Sequence, residues 1–130
     1  MPSFSNKSRD QLRTLDGRLQ RLLTKAIHII DFSIEEGHRT KERQKELVDA
    51  GLSKTMNSKH VVYPSLAVDI APHPYPKNKE EIKQLYMLVG VIRGLAELMD
   101  IPIRSGSDWN ENWDIRDDKW QDAWHLECKE

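Results

Sequence analysis

The sequence predicts a small α+β domain, with a short and largely antiparallel sheet accompanied by three helices. Two observations predict it. The chain has 130 residues, which suits one compact domain. Its apolar residues switch between helical and alternating spacing in the order helix, strand, helix, strand, helix, strand, strand, which fits segregated helices and a small sheet.

The elements follow in order. Ser8 is placed to cap a first helix, in which Leu12, Leu15, Leu19, Leu22, Leu23 and Ala26 recur at helical spacing over residues 9–27. The first seven residues read as a loose leader. Residues 29–34 are short and β-branched, hence a strand, and residues 35–38 are a turn. Thr40 caps a second helix over 41–50 and Gly51 stops it. Residues 51–65 are polar and read as a loop. Residues 66–71 form a strand that Pro72 and Pro74 end. Asn78 caps a third helix over 79–99, rich in Leu, Val, Ile and Met. Residues 101–104 are a short strand, residues 107–121 a loop rich in Trp and Asp, and residues 123–128 a last strand.

Composition excludes several functions. Lys plus Arg is 20 and Asp plus Glu is 21, so there is no general attraction to nucleic acid or an anionic membrane. No apolar run approaches the ~20 residues of a membrane span. Residues 1–11 lack the apolar core of a signal peptide, which places synthesis in the cytosol. A single cysteine, Cys128, excludes an internal disulfide and a multi-cysteine zinc site, so any metal must be held by His, Asp or Glu.

Asp69 lies within an apolar strand, where a carboxylate is costly unless paired or metal-bound. His125 lies likewise in a short apolar strand, and His60 opens the loop leading to Asp69. Two His and one carboxylate make a sound zinc set with a fourth position for water. Asp122, three residues before His125, is a candidate general base. Spacing alone leaves this open, because a single His is more often a surface or core residue than a ligand.

The motifs go further. Ser58-Lys59-His60 followed by Ala67-Val68-Asp69 resembles the SxHxxxxAxD signature of the D-alanyl-D-alanine carboxypeptidase and L-alanyl-D-glutamate endopeptidase family of zinc peptidases. Asp122-Ala123-Trp124-His125 resembles its second motif, an acidic residue three positions before a His. Gly37-His38-Arg39-Thr40 with Gln44 resembles its GxR[ST]xxxQ segment. The three occur in the family's order over residues 37–127.

The resemblance implies a hedgehog/DD-peptidase-like fold and one zinc peptidase domain over residues 1–130. It implies one zinc per chain on His60, Asp69 and His125, and Asp122 as the catalytic acid that moves a proton from water to the leaving amine. It implies Arg39 holding the substrate carbonyl or oxyanion, with Gln44 and Ser58 in substrate binding. Two features depart from the pattern. The signature sets its Asp seven positions after its His, whereas Asp69 follows His60 by nine, the excess falling in loop residues 61–65. Asp122 replaces the usual Glu, and in a regular strand it points away from His125, so a turn or bulge is required just before Ala123.

Other residues have plainer readings. His28, at a helix C-terminus, suits the dipole. His38 points away from the site by alternation, His73 is exposed, and Cys128 is a small core residue. Glu127 shares the face of His125, as a partner of a ligand His or as a surface residue. Trp124 packs, while Trp109 or Trp113 lines a groove for the wall peptide or its sugar. Asp108, Asn110, Asn112 and Asp114 form a fragment of a calcium-loop pattern, with Trp113 in place of its turn Gly and Lys119 in place of its closing Glu. A solvated acidic loop is the competing reading.

The expected partner is bacterial peptidoglycan, met by a monomer. The expected role is a phage endolysin, made in the host cytoplasm and released to the wall through holin pores, that cuts L-alanyl-D-glutamate bonds. A D-alanyl-D-alanine carboxypeptidase and a metal-stabilised binding module are the alternatives.

Overall fold

The computed structural model describes residues 2–129, so Met1 and Glu130 of the expected domain lie outside the described residues. Four helices, α1 (Asn6–Leu12), α2 (Gly17–Ala26), α3 (Lys41–Asp49) and α4 (Lys83–Leu98), accompany four strands. The strands are β1 (Phe32–Glu36), β2 (Ala67–Pro72), β3 (Ile103–Gly106) and β4 (Asp122–Cys128), and a short 3-10 turn spans Ile115–Asp117. They form one sheet in the order β1-β2-β4-β3, every pair antiparallel. This is the predicted α+β class with one helix more than expected.

The extra helix comes from a break in the first leucine repeat. Leu15 forms an isolated bridge with Ser65, in which Asp16 N–H donates to the Ser65 carbonyl and Ser65 N–H to the Thr14 carbonyl. Asp16 then caps α2, its carboxylate accepting from Arg18 N–H. The leucine spacing survives the break because Leu15, Leu19, Leu22 and Leu23 all remain buried. Burial of each such side chain contributes about 1.5–3 kcal/mol.

The expected loose leader is corrected over its described residues. Phe4 is buried edge-on against Phe32 at 5.3 Å, and Ser5 caps α1. The first strand lies later than the apolar run suggests, because Ile29 and Ile30 close the C-terminal turn of α2 onto the Ala26 carbonyl. Asn78 does accept from Glu81 N–H, but the regular helix begins only at Lys83. The strand expected at residues 101–104 forms instead at Ile103–Gly106.

Helices α2 and α4 pack together, and α4 lies on β2, β3 and β4. Val68, Ile70 and Leu126 face this core. Asp69 is therefore the partly exposed position of a strand otherwise buried throughout. Two irregularities shape the opposite face. β1 bulges at Glu35, between Ile34 paired with Ile70 and Glu36 paired with Asp69. On β3, Ser105 pairs with Leu126 but Gly106 pairs with Asp122, so Ala123, Trp124 and His125 bulge from that ladder. Gly106 permits it: a Cβ there would sit 2.0 Å from the Asp122 carbonyl oxygen.

Candidate metal centre

Register assembles the centre. Asp69 of β2 pairs with His125 of β4, and the loop before β2 folds His60 against both. One donor atom from each lies within 4.8 Å of the others, the only such group of three among the described residues. His60 Nε2 is 3.2 Å and His125 Nδ1 3.4 Å from the same atom, Asp69 Oδ1. His60 is buried, whereas the Asp69 side chain keeps a quarter of its surface open.

His60 is oriented by backbone. Its Nδ1–H donates to the Gly37 carbonyl at 2.7 Å, while Arg39 N–H donates to the His60 carbonyl. Gly37 is packed so tightly that a Cβ would lie 2.4 Å from Thr14 Oγ1 and 2.9 Å from the Gln11 carbonyl. With its proton on Nδ1, neutral His60 turns the Nε2 lone pair toward a carboxylate oxygen. A shared cation resolves that opposition of two acceptors, so the donor set fits a divalent metal.

The electrostatics agree. Burial alone would raise the Asp69 carboxyl, but its bond to His125 leads the opposing effects and it lies well below the usual carboxylate range. His125 is penalised by burial, yet Asp69 and Glu127 raise it to about 9. Glu127 is likewise penalised by burial but lowered to about 2 by His125, Arg104 and Lys59.

These shifts set a stability window for the metal-free chain. His125, raised from 6.5, stabilises the fold fully below pH 6.5 and loses that contribution as pH rises through about 9. Glu127, lowered from 4.5, contributes above pH 4.5 and loses it as pH falls through about 2. Melting of chelator-treated protein is expected to peak between these two limits, pH 4.5 and 6.5. A melting temperature still rising from pH 6.5 to 9 would contradict the His125 environment described here.

Asp122 reaches the same neighbourhood through the β4 bulge, which spans residues 123–125 rather than falling just before Ala123. With Glu35, Asp69, Ile70, Tyr75 and Trp124 it lines a cavity of about 320 Å³. Burial first, then the charge of Asp69, raises its carboxyl above the ordinary value. Trp124 packs against the core as expected, and its ring also stacks on Tyr75 at 5.4 Å in the cavity wall.

The remaining expected site residues separate. Arg39 is almost entirely buried and engaged in four contacts: two to Glu36, one to Gln44 and one to Asp69 Oδ2 at 3.4 Å. Its guanidinium therefore backs Asp69. The expectation that Gln44 binds substrate is corrected. That side chain is fully buried, accepting from Arg39 and donating to Ser53 Oγ and the Thr55 carbonyl, so it braces the loop and cannot touch substrate. Ser58 is half-buried and accepts from His60 N–H. Trp109 does lie at the centre, its ring 5.8 Å from His125 and stacked on exposed Trp120. Trp113 instead covers Arg93 at 3.7 Å.

Nothing among the described residues supports the calcium expectation: apart from Asp108 Oδ1, which is buried without a partner, the polar side-chain groups of that pattern pair within the protein. Asp108 pairs with Arg93 at 2.9 Å and accepts from Trp113 N–H. The amides of Asn110 and Asn112 donate to Asp117, and Asp114 pairs with Arg116. His28 and His73 are exposed, and His38 packs on Tyr63 at 5.1 Å. Sequence reading missed Glu36, Lys59, Arg104, Tyr75 and Trp120 around the site. The β1 register places Glu36, the stacked rings place Tyr75 and Trp120, and ion pairs with Glu127 place Lys59 and Arg104.

Fold and donor set together define a candidate metal-dependent hydrolase, a His-Asp-His centre opening on a cavity that holds a carboxyl of raised pKa. The family model for phage L-alanyl-D-glutamate peptidases matches residues 2–128, and the chain belongs to that family. A relative, the L-alanyl-D-glutamate peptidase of Escherichia phage T5, is 26% identical over 121 residues, covering 88% of this chain and 87% of that protein. The crystal structure of the Serratia marcescens L-Ala D-Glu endopeptidase ChiX shares the fold, with TM-score 0.75 and 24% identity over 98% of this chain and 90% of that one. The chain is thus a peptidoglycan peptidase.

Proposed function

We propose that this peptidase cuts the L-alanyl-D-glutamate bond of wall stem peptides with one zinc held by His60, Asp69 and His125. The observation that carries this reading is the convergence of those three donors beside Asp122, in a chain of this family. Zinc bound there supplies carbonyl polarisation and a water of near-neutral pKa. Asp122 takes the proton of the attacking water. As the bond from the L-alanyl carbon to nitrogen breaks, it returns that proton to the D-glutamate amine. Its raised pKa makes it a stronger proton acceptor than an ordinary aspartate. Arg39 acts through Asp69, holding the carboxylate by Oδ2 while Oδ1 faces the histidines. Trp109 walls the cleft beside His125 and binds the stem peptide.

The biological setting we propose is lysis by a phage endolysin, made as a monomer in the host cytoplasm and admitted to the wall by holin pores. Lysis requires cutting the stem, since trimming a terminal D-alanine leaves existing cross-links intact. Mass spectrometry of digested sacculi is expected to show new amino termini on D-glutamate or its amidated form, suppressed by a chelator. Release of D-alanine from pentapeptide, with sacculi left turbid, would make the chain a carboxypeptidase instead.

A further inference from the structure

We propose that Glu127 is the positioning residue that fixes His125 for metal binding, and that Lys59 and Arg104 lock Glu127 in place. Alternation along β4 puts residues 125 and 127 on one face. Glu127 Oε1 accepts from His125 Nε2–H at 2.9 Å. A ring that binds metal must be neutral and keeps one N–H, so committing that N–H to Glu127 would leave the Nδ1 lone pair, on the Asp69 side, for the ion. Without that acceptor the ring is free to carry its proton on Nδ1, where it would block the donor.

The second carboxylate oxygen explains why a buried acid is tolerated. Glu127 is 6% exposed, and its Oε2 lies 2.9 Å from Arg104 Nη2 and 3.2 Å from Lys59 Nζ. A lone buried carboxylate would be costly, and two cations offset it. Lys59 directly precedes His60, and its ammonium also donates to the Cys128 carbonyl. One charged bridge therefore ties the loop carrying His60 to the strand carrying His125. Glu127 is outside the three-residue donor group, so it acts through His125.

This inference rests on the His60–Asp69–His125 reading and is tested on zinc itself. Zinc affinity of the full chain is measured by chelator competition, and the His125 tautomer by nitrogen NMR. Glu127→Ala is expected to weaken zinc about 10–100-fold, with Glu127→Gln between it and wild type because it keeps an acceptor but loses the charge. Lys59→Met is expected to weaken zinc less, and to add nothing on top of Glu127→Ala. Should the alanine variant fail to fold, the glutamine variant decides. Variants that bind zinc as wild type does, with the His125 proton still on Nε2, would overturn the proposal whatever their melting temperatures. A wild-type chain that binds no zinc would overturn the metal reading as well, which separates the two failures.

Discussion

His60→Ala is expected to abolish both metal retention and peptidase activity. The side chain is buried, one nitrogen is anchored to the Gly37 carbonyl, and the other is 3.2 Å from Asp69 Oδ1. Alanine removes one of three donors and leaves a cavity that no neighbouring His, Asp or Glu is placed to fill, since the donor group has no fourth member among the described residues. The two remaining donors hold a divalent ion far more weakly. Wall hydrolysis by the purified variant should fall to background, and its zinc content, measured by elemental analysis, should fall with it. Full zinc occupancy in this variant would remove His60 from the ligand set.

Asp122→Ala is expected to separate metal from turnover. Asp122 lines the cavity beside Asp69 but is not one of the three donors, so zinc should stay. What is lost is the proton carrier. General acid–base groups contribute about 10²–10⁴-fold, and a reduction of that size in kcat is expected at unchanged zinc content. A variant that loses its zinc would make Asp122 a ligand. Unchanged activity would move the proton transfer to another carboxyl, of which Glu35 also lines the cavity.

The three candidate donors were legible in the sequence because each is a polar residue whose setting demands a partner: Asp69 and His125 in apolar strands, His60 in a motif. The two extra residues between His60 and Asp69 fall where expected, in a loop that still brings His60 back to the strand. The approach of Asp122 was legible only as a requirement. Its cause, the close contact of Gly106 with the Asp122 carbonyl, depends on which strand becomes the neighbour of β4. Arg39 and Gln44 were recognised as belonging to the site, but not that burial would turn them inward. Gln44 is held by Ser53 and Thr55 and Arg39 by Glu36, Gln44 and Asp69, partners that local spacing does not encode. The split of the first helix had a local signal, Asp16 before Gly17, masked by an unbroken leucine repeat. The Asp and Asn loop shows the converse. Its pattern suggested calcium, yet Arg93, Arg116 and Asp117 claim the same groups.

The most direct test of the central claim is anomalous diffraction at the zinc edge from crystals of the wild-type chain grown with zinc. One peak per chain is predicted, in contact with His60 Nε2, Asp69 Oδ1 and His125 Nδ1. A zinc peak elsewhere, with these three atoms bare, would contradict it.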